Sequence, residues 1–200
     1  MEPDDLWPDV QSAAARRLMA AAVRSFAERG YHATTTRDIA TAAEMSPAAL
    51  YVHFSAKSAV LFAISRSGHE RTLALVERIL GAAPDPVAAV RELVVEFVAW
   101  HAKRHLVARV VQYELHALPP DDLVVVAELR RRTERLVREV IADGVAAGVF
   151  TVPDVRTAAR AVLSLGVDVA RWYTEATKPA PVPLGRQYAN LVLRMLGAMP

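Results

Sequence analysis

Tyr51 and His53 are the side chains whose placement in this sequence first suggests a binding role. They lie in the segment MSPAALYVHF, residues 45–54, which is only ten residues long. Ser46 is a favoured N-cap residue and Pro47 suits the first helical position, so the segment is expected to form a short helix. A helix of this length has too few apolar positions to be explained by packing alone, and it suits presentation to a groove.

A second helix is predicted directly before this segment. Thr35 can cap it, with Asp38 at the third position in a near capping box, and it ends around Ala43. The break from Ala43 to Ser46 has the length of the turn in a helix-turn-helix, whose second helix enters the major groove of B-DNA. The inward-facing residues of the two helices would be Ile39, Ala40, Ala43, Leu50 and Phe54.

Other chemistry is poorly supported. His101 and His105 have the i, i+4 spacing that can chelate a metal, but the intervening glutamate of the zinc-protease pattern and an obvious third ligand are missing. We therefore predict no metal site, and an exposed or pocket-lining pair instead. No serine, histidine and acid form a recognised constellation, and no glycine-rich phosphate loop is present, so neither a catalytic site nor a cofactor is predicted.

Composition narrows the class of protein. The 200 residues are 53% hydrophobic and carry a formal net charge of +2, with no cysteine for disulfides or thiolate metal sites. No apolar run approaches the ~20 residues of a spanning helix, and the acidic N-terminus is unlike a signal peptide, which predicts a cytoplasmic protein without a membrane partner. Residues 10–57 hold six basic and three acidic side chains, a net charge of +3.

The hydrophobic pattern predicts an all-α fold. Apolar residues recur at intervals of three and four, and no segment alternates as a strand would. Residues 1–11 are expected to be a disordered tail, residues 12–55 a helix-turn-helix domain and residues 56–200 a larger helical bundle. The first helix should end at Gly30, the fourth should run from a Ser55 cap to about Leu80, and later helices are predicted over 86–104, 106–116, 121–147, 154–173 and 185–196.

The run TTTRDIATAAEMSPAALYVHFSAKSAVL, residues 34–61, with FAERGYHA before it, resembles the TetR family of bacterial transcriptional regulators. The resemblance implies an N-terminal three-helix DNA-binding domain on a helical bundle that binds a ligand and dimerises. It further implies a repressor that binds a palindromic operator and is released by its ligand. Glu44 and Met45 stand where the family usually has Gly-Val, and a left-handed Glu44 is expected to cost roughly 1 kcal/mol relative to glycine.

The resemblance also assigns contacts to double-stranded DNA. Arg37 could form bidentate hydrogen bonds to guanine, although a surface ion pair with Asp38 or Glu44 is an alternative. Partly buried packing is the alternative for Tyr51 and His53. Phosphate contacts are expected from Thr35, Thr36, Ser46, Tyr51, His53 and Lys57, and contacts to thymine methyl groups from Pro47, Ala48 and Ala49.

The segment from Trp100 to Tyr173 resembles actinobacterial regulators of fatty-acid or sterol breakdown, whose effectors are acyl-CoA thioesters. An apolar tunnel with a basic mouth would suit such a ligand. Asp168 could accept a hydrogen bond from a ligand hydroxyl or pair with an arginine. For the aromatic residues the alternative is core packing, and for the arginines it is a solvated helix face. The predicted effector-binding residues are Trp100, Arg104, Arg109, Tyr113, Phe150, Asp168 and Trp172.

Two stripes near the C-terminus predict a homodimer. Small residues on the first would let a helix of the partner approach closely, and two helices from each subunit would form the interface. The alternative is that both stripes are buried inside one subunit. The stripes consist of Ala159, Val162, Gly166, Val169, Ala170 and Tyr173, and of Tyr188, Leu191, Val192 and Met195.

One alternative function remains open from the sequence. An all-helical carrier of acyl ligands, or an enzyme acting on them, would have a comparable bundle without binding DNA. Salt-dependent DNA binding distinguishes a regulator from these classes, because neutralising phosphates releases counterions.

Overall fold

The computed structural model describes residues 7–198, and within this range the chain is helical without strands, which confirms the all-α prediction. No single helix of the described chain is long and apolar enough to cross a membrane; only the pair Pro47–His53 and Lys57–Ala82, bent by 51°, meets that criterion jointly. The helices are α1 (Ala13–Arg29), α2 (Thr36–Ala42), α3 (Pro47–His53), α4 (Lys57–Ala82), α5 (Pro86–Lys103), α6 (His105–Tyr113), α7 (Pro120–Ala146), α8 (Val155–Trp172) and α9 (Pro181–Met195), with a 3-10 turn at Leu115–Ala117.

The chain forms two compact units. The first contains the residues up to His69 together with Leu106–Ala127, and the second contains Glu70–His105 and the residues from Glu128 onward. This division differs from the boundary predicted at residue 55. The first unit takes in half of α4 and all but the first residue of α6, because Val60, Leu61 and Val110 share its hydrophobic core.

Local sequence signals explain the helix ends of the first unit. The Ser12 hydroxyl accepts a hydrogen bond from the N–H of Ala15 and so caps α1. At the other end Gly30 has φ 81°, and its N–H donates to Phe26, as predicted. Leu18 and Phe26 of α1 are buried in the core that α2 and α3 cover.

Trp7 corrects the predicted tail. Its side chain is only 1% exposed and belongs to the core of the first unit, with Val10 packed against the same cluster. The prediction of disorder is therefore wrong for residues 7–11, because burying an indole outweighs the acidic composition of the segment. The rest of the predicted tail, residues 1–6, lies outside the described residues.

In the second unit, α5 packs closely against α8 and α9. A Cβ at Gly185 of α9 would overlap the Val95 carbonyl, so these two helices meet backbone to backbone. On the other side, Gly166 of α8 makes room for the ring of Phe97. Such close contacts leave little free space in this core.

Several predicted helix ends shift. α9 begins at Pro181, four residues before the predicted Gly185, because proline is well tolerated in the first turn. α6 ends at Tyr113 and is followed by the 3-10 turn, where one continuous helix was predicted. α4 begins at Lys57, so Ser55 is not the residue directly before it.

His101 is the fully buried histidine of α5. Its Nδ1 lies 2.8 Å from the Phe97 carbonyl oxygen, and its ring contacts those of Phe97 and Trp100. Burial lowers the pKa of His101 to about 4, against a smaller opposing effect of the Phe97 carbonyl. The Nδ1 of His105 lies 3.1 Å from the Ala102 carbonyl, so both rings of the predicted pair are engaged with backbone oxygens.

We expect His101 to make the protein sensitive to acid. The pKa of His101 is lower in the folded protein than in the unfolded chain, where it is about 6.5. The free energy of unfolding is therefore unaffected by this group above pH ~6.5 and decreases by about 3 kcal/mol as the pH falls to the folded pKa. Urea unfolding at pH 7 and pH 4 measures this loss. His101→Phe should lose much less stability on acidification than the exposed-residue control His116→Gln. Equal losses in the two variants would show that another group is responsible.

Candidate DNA-binding site

α2 and α3 form a helix-turn-helix whose ends are fixed by local hydrogen bonds. Thr35 and Asp38 form the predicted capping box at the start of α2. The Ser46 hydroxyl accepts from the N–H of Ala49 at 3.2 Å, and Pro47 occupies the first turn of α3. Both predicted caps are confirmed.

The turn between α2 and α3 contains a strained residue. Glu44 has φ 57°, the left-handed conformation considered from the sequence, and it is the one non-glycine residue with positive φ in the described chain. Arg17 of α1 donates a hydrogen bond of 2.7 Å to the Ala43 carbonyl directly before it. The Arg17 side chain thus joins α1 to the turn and holds the turn in place.

The helix-turn-helix buries one side and exposes the other. Ile39, Ala40, Ala43 and Leu50 are at most 5% exposed, as predicted for the inner face, and Phe54 is partly buried against the same core. The opposite side exposes Arg37, Ser46, Pro47, Ala48, Tyr51 and His53, with Thr36 and Ala49 half-buried.

Tyr51 connects the two helices on the exposed side. Its ring is 55% exposed, so core packing does not account for it. Its hydroxyl oxygen lies 3.3 Å from the Thr36 hydroxyl, which places two hydrogen-bonding groups side by side at the start of α2. This pair is oriented before any ligand binds.

Arg37 is exposed and forms no ion pair within the described part of the chain, so the alternative pairings with Asp38 and Glu44 are absent. Asp38 is instead engaged by Thr35, at 2.7 Å from its hydroxyl, and more distantly by Arg29 at 3.8 Å. The hydrogen bonds from the Thr35 side chain and backbone hold the pKa of Asp38 below its usual value, and the Arg29 charge adds to them. The Arg37 guanidinium remains available for an external acceptor.

Two predicted phosphate contacts have internal partners. The Thr35 hydroxyl donates to Asp38 and accepts from its N–H, so its single proton is already used. The Lys57 ammonium donates to the Tyr31 and Thr34 carbonyls, at 2.7 and 2.6 Å, and lies 4.1 Å from the centre of the Tyr31 ring. Burial lowers the pKa of Lys57, while the Glu114 carboxylate opposes that shift.

Val52, near the C-terminal end of α3, is 79% exposed and was not among the predicted contacts. Helical spacing from the buried Leu50 would have identified it, since residues two apart lie about 200° from each other around a helix.

Two predicted effector-binding residues have other roles. Phe150 is 2% exposed, and its ring fills the space above Gly144 in the core of the second unit, as the core-packing alternative expects; its assignment to a pocket wall stays a prediction. Asp168 is exposed and receives 2.7 and 3.1 Å hydrogen bonds from Arg171, which lower its pKa. Pairing with an arginine was the alternative for Asp168.

The remaining five do not form one cluster in either unit. Tyr113 and Arg109 lie in the first unit, and Trp100, Arg104 and Trp172 lie in the second. Tyr113 and Trp172 are 53% and 38% exposed, whereas the other three are half-buried. Their role in binding an effector stays a prediction.

An open groove of about 550 Å³ runs between α5 and α9. Arg91 and Arg186 line it, together with Glu92 and Asn190, whose amide oxygen accepts a 3.4 Å hydrogen bond from Arg91. The lining residues of α5 and those of α9 lie about 100 positions apart in the sequence, so no sequence motif predicts the groove.

The predicted dimer stripes are mostly buried within the protomer. Leu191 and Met195 are 57% and 42% exposed, and Tyr188 is half-buried. The other seven residues are in the core, where the slot between α5, α8 and α9 leaves only about 10 Å³. Helix α5 occupies the side of α8 that was assigned to a partner, so the assignment is wrong for Ala159, Val162, Gly166, Val169, Ala170, Tyr173 and Val192.

An apolar surface remains on α8 and α9 that includes three residues of the second predicted stripe. Leu165 and Trp172 of α8 are 41% and 38% exposed and lie seven residues apart on one side of the helix. Tyr188, Leu191 and Met195 follow the same side of α9, and Leu165 and Tyr188 line one slot. We call these five residues the α8–α9 surface.

Two family models match the chain. Residues 18–64 match the model of bacterial regulatory proteins of the tetR family, and residues 83–196 match the tetracyclin repressor-like C-terminal domain. The first match covers the helix-turn-helix and its supporting helices, and the second covers α5 to α9.

Known proteins resemble the whole chain. The HTH-type transcriptional repressor KstR2 of Mycolicibacterium smegmatis is 31% identical over 196 residues, 93% of each chain. A tetR-family regulatory protein from Rhodococcus RHA1 is 39% identical, with a TM-score of 0.88 over 95% of this chain and 100% of the other. AibR, solved with isovaleryl coenzyme A and operator DNA, covers 92% of this chain and 97% of its own at a TM-score of 0.80, and its 20% identity shows the fold alone.

Replacing Glu44 by glycine should stabilise the first unit by about 0.5–1 kcal/mol. Relief of the left-handed strain contributes about 1–2 kcal/mol, which exceeds the free-energy cost of the greater conformational freedom of glycine in the unfolded chain. Glu44→Ala is the matched control, because it removes the charge and keeps the strain. Urea unfolding of both variants measures the effect. An equal gain in the alanine variant would assign the strain to the glutamate charge instead of the backbone.

Proposed function

Because this chain belongs to the TetR family of bacterial regulatory proteins, we propose that it is a transcriptional repressor that binds a palindromic operator as a homodimer. A small hydrophobic effector releases it. The observation that carries this proposal is the exposed side of α2 and α3, where Arg37 has no ion-pair partner among residues 7–198 and Tyr51 is paired with Thr36. The packing of the hydrophobic core does not account for these exposed side chains.

The exposed side suggests different roles for its residues. Arg37 would donate bidentate hydrogen bonds to guanine, and Pro47, Ala48 and Ala49 would contact thymine methyl groups. Phosphate contacts would come from Thr36, Ser46, Tyr51 and His53, which fix the register of α3 without reading sequence. Thr35 and Lys57 support these contacts indirectly, since their polar groups already hold the start of α2 and the loop before it.

A homodimer would join two such units through the α8–α9 surface. Four of its five residues are exposed in the protomer and Tyr188 is half-buried. Tyr188, Leu191 and Met195 were also predicted from the sequence, whereas the other seven predicted residues are buried. A two-fold dimer requires half-sites about one turn of DNA, ~34 Å, or more apart. The palindrome in the operator follows from this symmetry.

Acyl-CoA thioesters are the effector class we propose. The relative named KstR2 is a repressor of comparable length, and AibR carries isovaleryl coenzyme A in a similar fold. An effector releases DNA only if it binds the DNA-free state more tightly than the DNA-bound state. Trp100 and Arg104 of the second unit remain candidates for contact with the acyl chain and the CoA phosphates, and Arg109 of the first unit is a separate candidate.

DNA binding and its release can be measured together. The protein is titrated into a labelled duplex from upstream of its own gene by fluorescence anisotropy, with acyl-CoA thioesters or free CoA added. We expect tight binding that one thioester abolishes and free CoA does not. Arg37→Ala should weaken binding by about 1–3 kcal/mol, whereas Arg186→Ala, an arginine of the second unit, should not.

Different results would remove different parts of the proposal. Binding that no thioester alters would discard the effector class and keep the repressor. No binding at low salt to this duplex or its neighbours would instead favour an acyl-ligand carrier or an enzyme, and turnover of a bound thioester would identify the enzyme.

The α8–α9 surface can be tested by charge. Leu191→Asp should convert the dimer to monomers, because a carboxylate would be buried without a partner at the interface. Sedimentation equilibrium measures the mass. Val124→Asp is the control, since Val124 is 64% exposed in the first unit. A dimer that survives Leu191→Asp, or that dissociates equally in the control, would place the interface elsewhere.

A further inference from the structure

We propose that Val52 is a specificity-determining residue that reads the methyl group of one thymine in each operator half-site. This inference rests on the proposed function, since it requires that α3 enters a major groove. It goes beyond the predicted contacts, which included the neighbouring Tyr51 and His53 but not Val52.

The position of Val52 on α3 follows from helical geometry. At 100° per residue, Val52 lies about 200° around α3 from the inward-facing Leu50. Leu50 is completely buried and Phe54 packs against the same core, so Val52 points directly away from the first unit. Ala48 lies one turn earlier on the same side and Tyr51 lies beside it.

The exposure of Val52 is not explained by the fold. At 79% it is the most exposed large hydrophobic side chain in the described part of the chain. A β-branched residue has lower helix propensity than alanine, so valine does not favour α3 either. Its side chain faces solvent on the same side of α3 as the exposed Ala48. Val52 directly follows Tyr51 in sequence, and the Tyr51 hydroxyl pairs with Thr36.

The chemistry of this position selects one kind of base feature. Neither Val52 nor Ala48 can form a hydrogen bond through its side chain, so together they present a small apolar surface. In the major groove the apolar feature of an unmodified base is the thymine methyl group; the other edges present donors and acceptors. Valine also has one strongly preferred rotamer in a helix, so little conformational freedom is lost on contact.

Removing single thymine methyl groups tests the proposal directly. Within the duplex region that the protein protects, each thymine is replaced in turn by uracil, which leaves base pairing intact, and affinity is measured by anisotropy. One position in each half-site should lower the affinity by about fourfold, the effect of withdrawing one buried methyl group, and substitution in both half-sites by about fifteenfold.

The valine must be shown to carry this sensitivity. Val52→Ala should bind the thymine duplex about fourfold more weakly per half-site and should no longer respond to uracil at that position, while responses at other positions persist. Val52→Thr, which keeps the branched shape, should retain the response. Alanine favours the helix more than valine, so unfolding would not explain the loss, and Val124→Ala serves as a surface control.

The outcomes separate this inference from the function on which it rests. Tight binding that responds to no uracil substitution, or a response that Val52→Ala leaves unchanged, would overturn the role of Val52 and keep the repressor. Absence of binding to any duplex would overturn both.

Discussion

The burial of Leu50 in the core of the first unit is the constraint on which the proposed DNA-binding surface depends. α3 has seven residues, too few to be stable as an isolated helix, so its position comes from Leu50, the packing of Phe54 and the Ser46 cap. With Leu50 turned inward, helical geometry turns Val52 outward. The Arg17 hydrogen bond to the Ala43 carbonyl secures the turn that sets this orientation.

The same unit connects its DNA-facing elements to α6. The Glu114 carboxylate, just after α6, accepts a 3.2 Å hydrogen bond from the N–H of Tyr31, and the Tyr31 carbonyl accepts one from Lys57 at the start of α4. The Glu114 carboxylate and the Lys57 ammonium thus both hold the loop that leads into α2. Lys57 resembles a phosphate-contacting residue in sequence, yet in the structure it holds this loop, so its loss would disturb the orientation of α2 and α3 as well as local charge.

The caps of the helix-turn-helix were predicted correctly from local signals, whereas the Ser55 cap and the packing partners distant in the chain were not. The Thr35 and Ser46 caps, the Gly30 ending and the left-handed Glu44 all depend on residues within a few positions of each other. The stripe on α8 was real, but an apolar stripe does not reveal whether its partner is the same subunit or another one. Only the packing of α5 against Gly166 and Gly185 identifies the partner. Composition likewise misjudged Trp7, because one buried indole outweighs several acidic neighbours.

The dependence of DNA affinity on salt tests the central claim most directly. If the exposed side of α2 and α3, within the segment 10–57 of net charge +3, binds the DNA backbone and bases, log affinity should fall linearly with log salt concentration, by ~0.9 for each phosphate that a basic side chain neutralises. We expect such a slope for the upstream duplex. If Arg37 also neutralises a phosphate, the slope should be shallower for Arg37→Ala. An affinity independent of salt, or the absence of binding at low salt, would contradict it.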